Sequence, residues 1–343
     1  MNPSPPLDAI AISDLTLDYI LDAAGTPHLH LLGGKAVYSA VGLWIWGLRV
    51  GLAVDAGHDF PMAWLEPFRR AGVDIRGVQR NPELVTSRWA MRYAPDGERV
   101  PWNPHRHFQE RGEAPFPLES LPDIQGFSPP KIWRAHHVDL TQLPPDYHQA
   151  RGYHFAGSEF LRYPEVVQAW VERGALLTLD ADWYTGPPLT PKTPPHRIQE
   201  ALAPLPPFTG VLPSAVDVAR IFGQGVDLAW AARQLAQAGP AAVAIKLGVQ
   251  GSLLYVREAD RFRHIPIVPT EAVDPTGAGD AYAGGFLAGL LRTGDPLEAA
   301  LHGTVSASFV VEGFGAAHAL AADRAQASAR LAWLREQVAD SSD

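Results

Sequence analysis

Short apolar runs and helix-patterned stretches follow one another along this chain, and that order narrows the fold more than any other property of the sequence. Residues 7–12 are apolar and bounded by Pro and Asp, residues 35–46 carry apolar side chains at helical spacing, and residues 50–54 read as a second buried strand. Residues 62–71 follow as an amphipathic helix stopped by Gly72. After residue 132 the alternation resumes. Strands are expected near 136–140, 153–155, 175–179 and 241–247, and helices over 164–173, 216–222 and 228–238. Strands alternating with helices call for a parallel sheet covered on both faces. Two stretches interrupt the order. Residues 101–130 are Pro-rich and charged and read as an irregular excursion, and residues 186–213 hold nine prolines and are expected to be mostly loop. Thr86 to Tyr93, Pro95-Asp96-Gly97 and Glu98 to Val100 have the chemistry of a β-hairpin, suited to a small lobe.

At 343 residues the chain suits one large domain with a smaller lobe. Lys and Arg number 28 against 37 Asp and Glu, a net charge of −9, so the global field repels nucleic acid and anionic membrane surfaces. The absence of cysteine removes disulfides, thiolate metal sites and cysteine nucleophiles. Chemistry must come from oxygen and nitrogen groups. The Pro-rich, acidic start does not read as a secretory signal, and a cytoplasmic protein is expected. Residues 36–54 carry Arg49 as their one charge, yet Gly42, Gly47 and Gly51 divide them, as in a core helix followed by a strand, not a membrane span. His105 with His107, and His136 with His137, lack a third ligand at metal-site spacing and read as solvated or structural histidines.

Reactive chemistry concentrates in Val273-Asp274-Pro275-Thr276-Gly277-Ala278-Gly279-Asp280, just ahead of a small, apolar helical stretch over 281–292. Free N–H groups at a helix start, with the helix dipole behind them, favour an anion, and a Gly/Ala turn lets phosphate oxygens approach the backbone. Asp280 is the odd residue, since its carboxylate competes with a bound anion. Either it accepts a proton from a substrate hydroxyl that attacks a phosphoryl group held by the amides, or it simply caps the helix. A P-loop fails because Ala36 stands where Ser or Thr is required, and a dinucleotide fingerprint fails at Tyr282. Gly-x-Ser-x-Gly and His-Glu-x-x-His are absent.

The stretch Asp274 to Phe286 resembles the C-terminal signature of the PfkB (ribokinase-like) family of carbohydrate and nucleoside kinases, with Pro275 in place of its usual Thr. Gly33-Gly34-Lys35-Ala36, Ala40-Val41-Gly42-Leu43, Gly47, Val50-Gly51-Leu52 and Gly57-His58-Asp59 are similar to its looser N-terminal signature. Ala71 to Asp74, Thr86, Asp96 to Arg99, Leu179-Asp180, Lys246-Leu247-Gly248 and Gly251 fall between in family order, so the likeness covers about residues 8–320. It implies a single doubly wound α/β kinase domain over 1–343. A small β-sheet lid is expected from segments about 24–32 and 74–110, and a C-terminal helix with a frayed tail over 321–343. It also implies ATP-dependent phosphorylation, with Mg²⁺, of a hydroxyl on a small sugar or polyol. A nucleoside kinase and a non-catalytic sugar-binding regulator are the alternatives.

Carried over residue by residue, the resemblance makes Asp280 the base and Gly277, Ala278 and Gly279 the anion hole. Asp18 would bind substrate hydroxyls, and Gly33, Gly34 and Lys35 would approach the same substrate. Lys246, Gly248 and Gly251 fall at the ATP-binding turn, with Lys246 replacing a frequent Thr. Asp274 and Thr276 would hold a monovalent cation, K⁺, with backbone oxygens near Gly313 and Gly315. Two departures stand out. Ser214-Ala215-Val216-Asp217 aligns with an Asn-x-x-Glu element linked to Mg²⁺ and phosphate, shortening its acid and exchanging its amide for a hydroxyl. Tyr38 stands where sugar-binding members often have Asn. Trp89, Met91 and Tyr93 alternate on one face of the lid, which either packs on the lid's own core or on a second subunit, as in a homodimer through the lid, or forms a wall against a nucleoside base or polyol.

Overall fold

The computed structural model describes residues 6–94, 99–100, 137–181 and 183–340. The excursion expected over 101–130, together with His105, His107 and His136, lies outside them. The strands are β1 (Ala9–Asp14), β2 (Thr16–Leu21), β3 (Pro27–Gly33), β4 (Val50–Gly57), β5 (Asp74–Asn81), β6 (Ser87–Tyr93) and β7 (Arg99–Val100). They continue with β8 (Gly152–Phe155), β9 (Leu176–Leu179), β10 (Gly210–Val211), β11 (Ala242–Lys246), β12 (Ser252–Val256) and β13 (Arg261–Ile265). Nine form one sheet in the order β13-β12-β11-β10-β9-β8-β1-β4-β5, parallel from β11 to β5, with β12 and β13 added antiparallel at one edge. The other four form a small sheet, β3-β2-β6-β7. This is an α/β ribokinase-like architecture, a large doubly wound sheet with a lid sheet.

β1 shows why both faces are covered. Ala9 and Ala11 point into one core and Ile10 and Ile12 into the other, all with no exposed surface. The alanine side accommodates closely packed helices. Helix Lys35–Trp44 crosses helix Ala278–Thr293 so tightly that a Cβ on Gly42 would lie 2.2 Å from Ala281 O, and one on Gly284 2.0 Å from Ser39 O. Helix Pro296–Val310 closes the layer, with Ser306 and His302 against Gly285. Small residues in the 281–292 stretch are therefore packing surface. Helix Pro296–Val310 is buried on nearly every side, small polar residues included, so it carries no amphipathic signal and the sequence pattern does not mark it.

Several expectations shift. No strand forms after His137; Asp139 instead caps a 3₁₀ turn, Leu140–Gln142, through its side chain. The 62–71 helix divides into a 3₁₀ turn, Met62–Leu65, and a short helix, Glu66–Arg70, because Pro67 is accepted only in a first turn. Within 186–213, Pro195 opens helix Pro195–Leu202, where its fixed φ helps and its missing N–H costs nothing. The lid boundaries move too. Asp74–Asn81 is the edge strand of the large sheet, paired with β4, whereas Thr16–Leu21 belongs to the small sheet. Helix Arg324–Asp340 occupies the expected C-terminal position. Among the described residues no helix is long and apolar enough to cross a membrane.

Candidate active site

Parallel strands place their carboxyl ends along one edge, and a crevice opens where neighbouring strands run off in opposite directions. Here β1 has β4 on one side and β8 on the other. Asp14 ends β1, Ala156 follows β8, Asp180 follows β9, Ser214 follows β10 and Lys246 ends β11, so one rim carries two carboxylates and an ammonium.

Helix Ala278–Thr293 enters this rim. Gly277 sits at its N-terminus with φ 75°, and a Cβ there would lie 2.2 Å from the Tyr38 ring. The first helical bond runs from Ala281 N–H to Gly277 O at 2.9 Å, so the Gly279 and Asp280 amides precede the ladder. Ala278 N–H donates to Pro275 O at 3.2 Å within the turn. Of the three expected anion-hole residues, Ala278 therefore has its amide engaged, and the Asp280 amide joins the orphan donors.

Four charged side chains surround this turn. Lys246 Nζ donates to Asp180 Oδ1 at 2.9 Å and to Gly279 O at 3.4 Å, and Lys35 Nζ donates to Ala156 O at 3.3 Å. Asp280 is pushed up to about 7, first by burial and then by the Asp180 charge, while Lys35 and Lys246 pull it down and Asp14 adds a smaller upward push. A carboxyl poised near neutrality can take or return a proton at working pH.

Asp18 lies on the lid's inner face, buried, with Oδ1 accepting from Thr16 Oγ1 at 2.7 Å. Burial, with help from Asp14 and Asp274, pushes it up to about 7 as well. A Cβ on Gly33 would lie 2.0 Å from Asp18 Oδ2, so any larger residue there displaces that carboxylate; Gly34 beside it has φ 106° and packs on Asp14 O. Across the sheet Trp89 is the register partner of Asp18, and Met91 that of Ile20. Ile20, Met91 and Tyr93 form a small core with Leu31, Trp89 and Phe314. Of the readings open for the alternating aromatic face, this core accounts for Met91 and Tyr93 directly.

Lid and glycine turn touch. Tyr93 OH and Thr276 Oγ1 are 2.8 Å apart, and His28 of β3 stacks on Phe314 at 3.5 Å between ring centroids. Asp274 Oδ1 accepts from Thr276 N–H at 3.0 Å, and its Oδ2 is buried without a hydrogen-bond partner. Burial pushes Asp274 upward. Tyr38 is 2% exposed, its OH also unpartnered.

Other expected site residues do structural work. Asp217 Oδ2 accepts from Ser214 N–H and Oγ at 2.9 and 2.6 Å, a capping box, and its Oδ1 accepts from Arg220 at 3.2 Å, so this acid is occupied within its own helix. Gly248 and Gly251 shape the turn between β11 and β12, with Leu247 N–H on Gly251 O at 2.8 Å. Asp180 was seen in the sequence only as part of a family-ordered pair. Its signal was its place, a carboxylate ending a buried strand. Among the described residues no group of three or more His, Cys, Asp or Glu stands ready to hold a metal ion.

Residues 188–323 match the model of the pfkB family carbohydrate kinases. The chain is 30% identical over 294 residues to a cytidine kinase from Thermococcus kodakarensis, an alignment covering 85% of this chain and 91% of that one. Its fold is similar to that of the aminoimidazole riboside kinase of Salmonella enterica, complexed with aminoimidazole riboside and an ATP analogue. The TM-score is 0.66 at 20% identity, over 94% of this chain and 99% of that one. It is also similar to Arabidopsis thaliana ribokinase complexed with ribose and ATP, with a TM-score of 0.66 at 16% identity, over 95% and 99%. A glycine turn at the crevice, a nearly neutral carboxyl beside it and near-full-length likeness to a kinase converge, and the chain belongs to the pfkB family as an ATP-dependent phosphotransferase.

Proposed function

We propose that this kinase phosphorylates a hydroxyl of a ribonucleoside, in preference to the free sugar or polyol expected first. The observation that carries this reading is the 30% identity to a cytidine kinase along 91% of its length. The lid supports it. A buried carboxylate, Asp18, has the half-buried Trp89 as its register partner on the adjacent strand, which suits a ribose hydroxyl on the first and a base plane on the second.

The roles follow from position. Asp18 accepts hydrogen bonds from acceptor hydroxyls, with Gly33, Gly34 and Lys35 lining the approach and Tyr38 buttressing Gly277. Asp280 takes the proton of the attacking hydroxyl. That oxygen bonds to the γ-phosphorus of ATP while the bond from this phosphorus to the β,γ-bridging oxygen breaks, and ADP leaves with the electron pair. Amides at Gly277, Gly279 and Asp280 hold the migrating group, and the turn at Gly248 and Gly251 borders the nucleotide. Positioning and charge neutralisation supply most of the rate. Mg²⁺, when bound, neutralises phosphate charge; with Asp217 engaged by Ser214 and Arg220, the fit is to a metal held by donor phosphates and water. The unpartnered Asp274 Oδ2 beside Thr276 fits a monovalent cation such as K⁺, which Asp274 would hold, with the backbone carbonyls near Gly313 and Gly315 that the resemblance implies, and which would neutralise charge beside the turn.

ADP release with ATP, Mg²⁺ and a panel of cytidine, uridine, adenosine, inosine, ribose, fructose and inositol tests the reading. A nucleoside should exceed every free sugar in kcat/KM by about 100-fold, the value of roughly 2.7 kcal/mol of added base contact. A sugar at the top of the panel defeats it. Gly33→Ala should raise the acceptor KM by at least about tenfold through displacement of Asp18, while ATP affinity, measured by calorimetry, stays the same.

A further inference from the structure

Lys246 occupies an electrostatically awkward place. It ends β11, its side chain is 11% exposed, and its Nζ lies 3.4 Å from Gly279 O. A Cβ on Gly279 would sit 3.5 Å from that nitrogen, so the ammonium rests against the first turn of helix Ala278–Thr293. That end of a helix carries partial positive charge and favours anions, so a cation there works against the dipole. Asp180 compensates through its 2.9 Å ion pair, and Asp180 also accepts from Ala181 N–H at 3.0 Å through the same oxygen. A second anion, brought to the turn by substrate, would suit the lysine and the amides together. The neighbouring strand end offers no competing charge, since Ser214, bridged to Lys246, is tied with Asp217 into a helix cap.

Resting on the kinase reading above, we propose that Lys246 contacts the migrating phosphoryl group, moving its ammonium from Asp180 to a phosphoryl oxygen, and that Asp180 is the positioning residue that holds Lys246 ready. The bonds made and broken are those of the transfer already written. Release of Asp180 has a consequence for the base. The groups facing Asp280 are Asp180, Lys35, Lys246 and Asp14. Once Lys246 turns to the phosphoryl, the uncompensated Asp180 charge makes Asp280 hold a proton more strongly while the acceptor hydroxyl is losing one. One side chain thereby links the phosphate end of the reaction to the proton end.

Four variants of the full chain test this: Lys246→Met, Lys246→Arg, Asp180→Asn and the double Asp180→Asn/Lys246→Gln. Lys246→Met leaves a buried carboxylate unpaired and can lose stability on that account; the double variant replaces the ion pair with a neutral pair of similar shape. With the best acceptor from the panel, Lys246→Met and the double should each lose about 100-fold in kcat, as expected for one preorganised donor, with acceptor KM within about threefold. Lys246→Arg should recover at least about tenfold over Lys246→Met. Calorimetry with ATP and ADP gives a readout that needs no acceptor, and so stands even if the nucleoside reading fails. The double should lose at least about tenfold in affinity for ATP and little for ADP. In Asp180→Asn the acid limb of the kcat pH profile should move down by at least about half a pH unit. A double variant with wild-type kcat, or an ATP loss matched by ADP, overturns the role of Lys246; an unmoved acid limb overturns that of Asp180.

Discussion

Asp280→Asn should lower kcat by about 10²–10⁴, the worth of a positioned general base, while the folded protein becomes more stable at pH 8. The two effects share one cause. Burial and the Asp180 charge hold Asp280 near 7 in the folded chain, against 3.8 for an ordinary aspartate. Between those values the folded state keeps a proton that the unfolded state has released. The stability this confers is fully present below about pH 4 and is withdrawn as pH rises through about 7. At pH 8 an ionised Asp280 is a liability that asparagine removes, so Tm should rise by about 2 °C or more at pH 8 and change little below about pH 4. In the wild type, kcat should climb with pH through about 7 and then level, since the base works only after losing its proton. An Asp280→Asn variant with appreciable turnover, or with a lower Tm at pH 8, contradicts the assignment.

Gly277→Ala should cost about 100-fold in kcat and about 2–5 kcal/mol of stability. The residue has φ 75°, a left-handed conformation that costs a residue with a Cβ about 1–2 kcal/mol. The added methyl would lie 2.2 Å from the ring of Tyr38, itself 2% exposed and unable to retreat, so overpacking adds about 1–3 kcal/mol. To relieve both, the turn must shift, and an anion hole displaced by a few tenths of an ångström loses donors worth about 2.7–4 kcal/mol each. Combining Gly277→Ala with Tyr38→Ala separates the terms. Thermal melts should recover the overpacking share in the double variant and leave the backbone share. Full recovery of both Tm and turnover would show that the left-handed turn has no part in catalysis.

Much of the site was legible because its chemistry is written in consecutive residues. The turn from Asp274 to Asp280 carries its own geometry, since glycine, alanine and a single carboxylate admit few other arrangements at a helix start. What stayed hidden came from distant partners. The sequence offered Lys246 as a nucleotide contact and Asp217 as a metal-linked acid. The fold adds partners no local pattern announces: Lys246 pairs with Asp180, 66 positions away, and Asp217 turns back onto Ser214. The lid was half legible for the same reason. The alternation of Trp89, Met91 and Tyr93 marked a sheet face, but periodicity alone does not say which sheet a strand joins, and β2 and β5 exchanged places. Helix Pro296–Val310 escaped notice because a helix buried on all sides has no polar stripe to mark its period.

The backbone-to-backbone seating of the Lys35–Trp44 and Ala278–Thr293 helices also limits how this enzyme can move. With Gly42 pressed on Ala281 O and Gly284 on Ser39 O, neither helix can slide without collision, so the catalytic floor is a fixed anvil. The four-stranded flap meets this floor through a tyrosine–threonine bond and a histidine laid flat on a phenylalanine, while the Arg88–Asp59 ion pair and the burial of Leu17, Tyr19 and Leu21 in the main core tie the rest of it down.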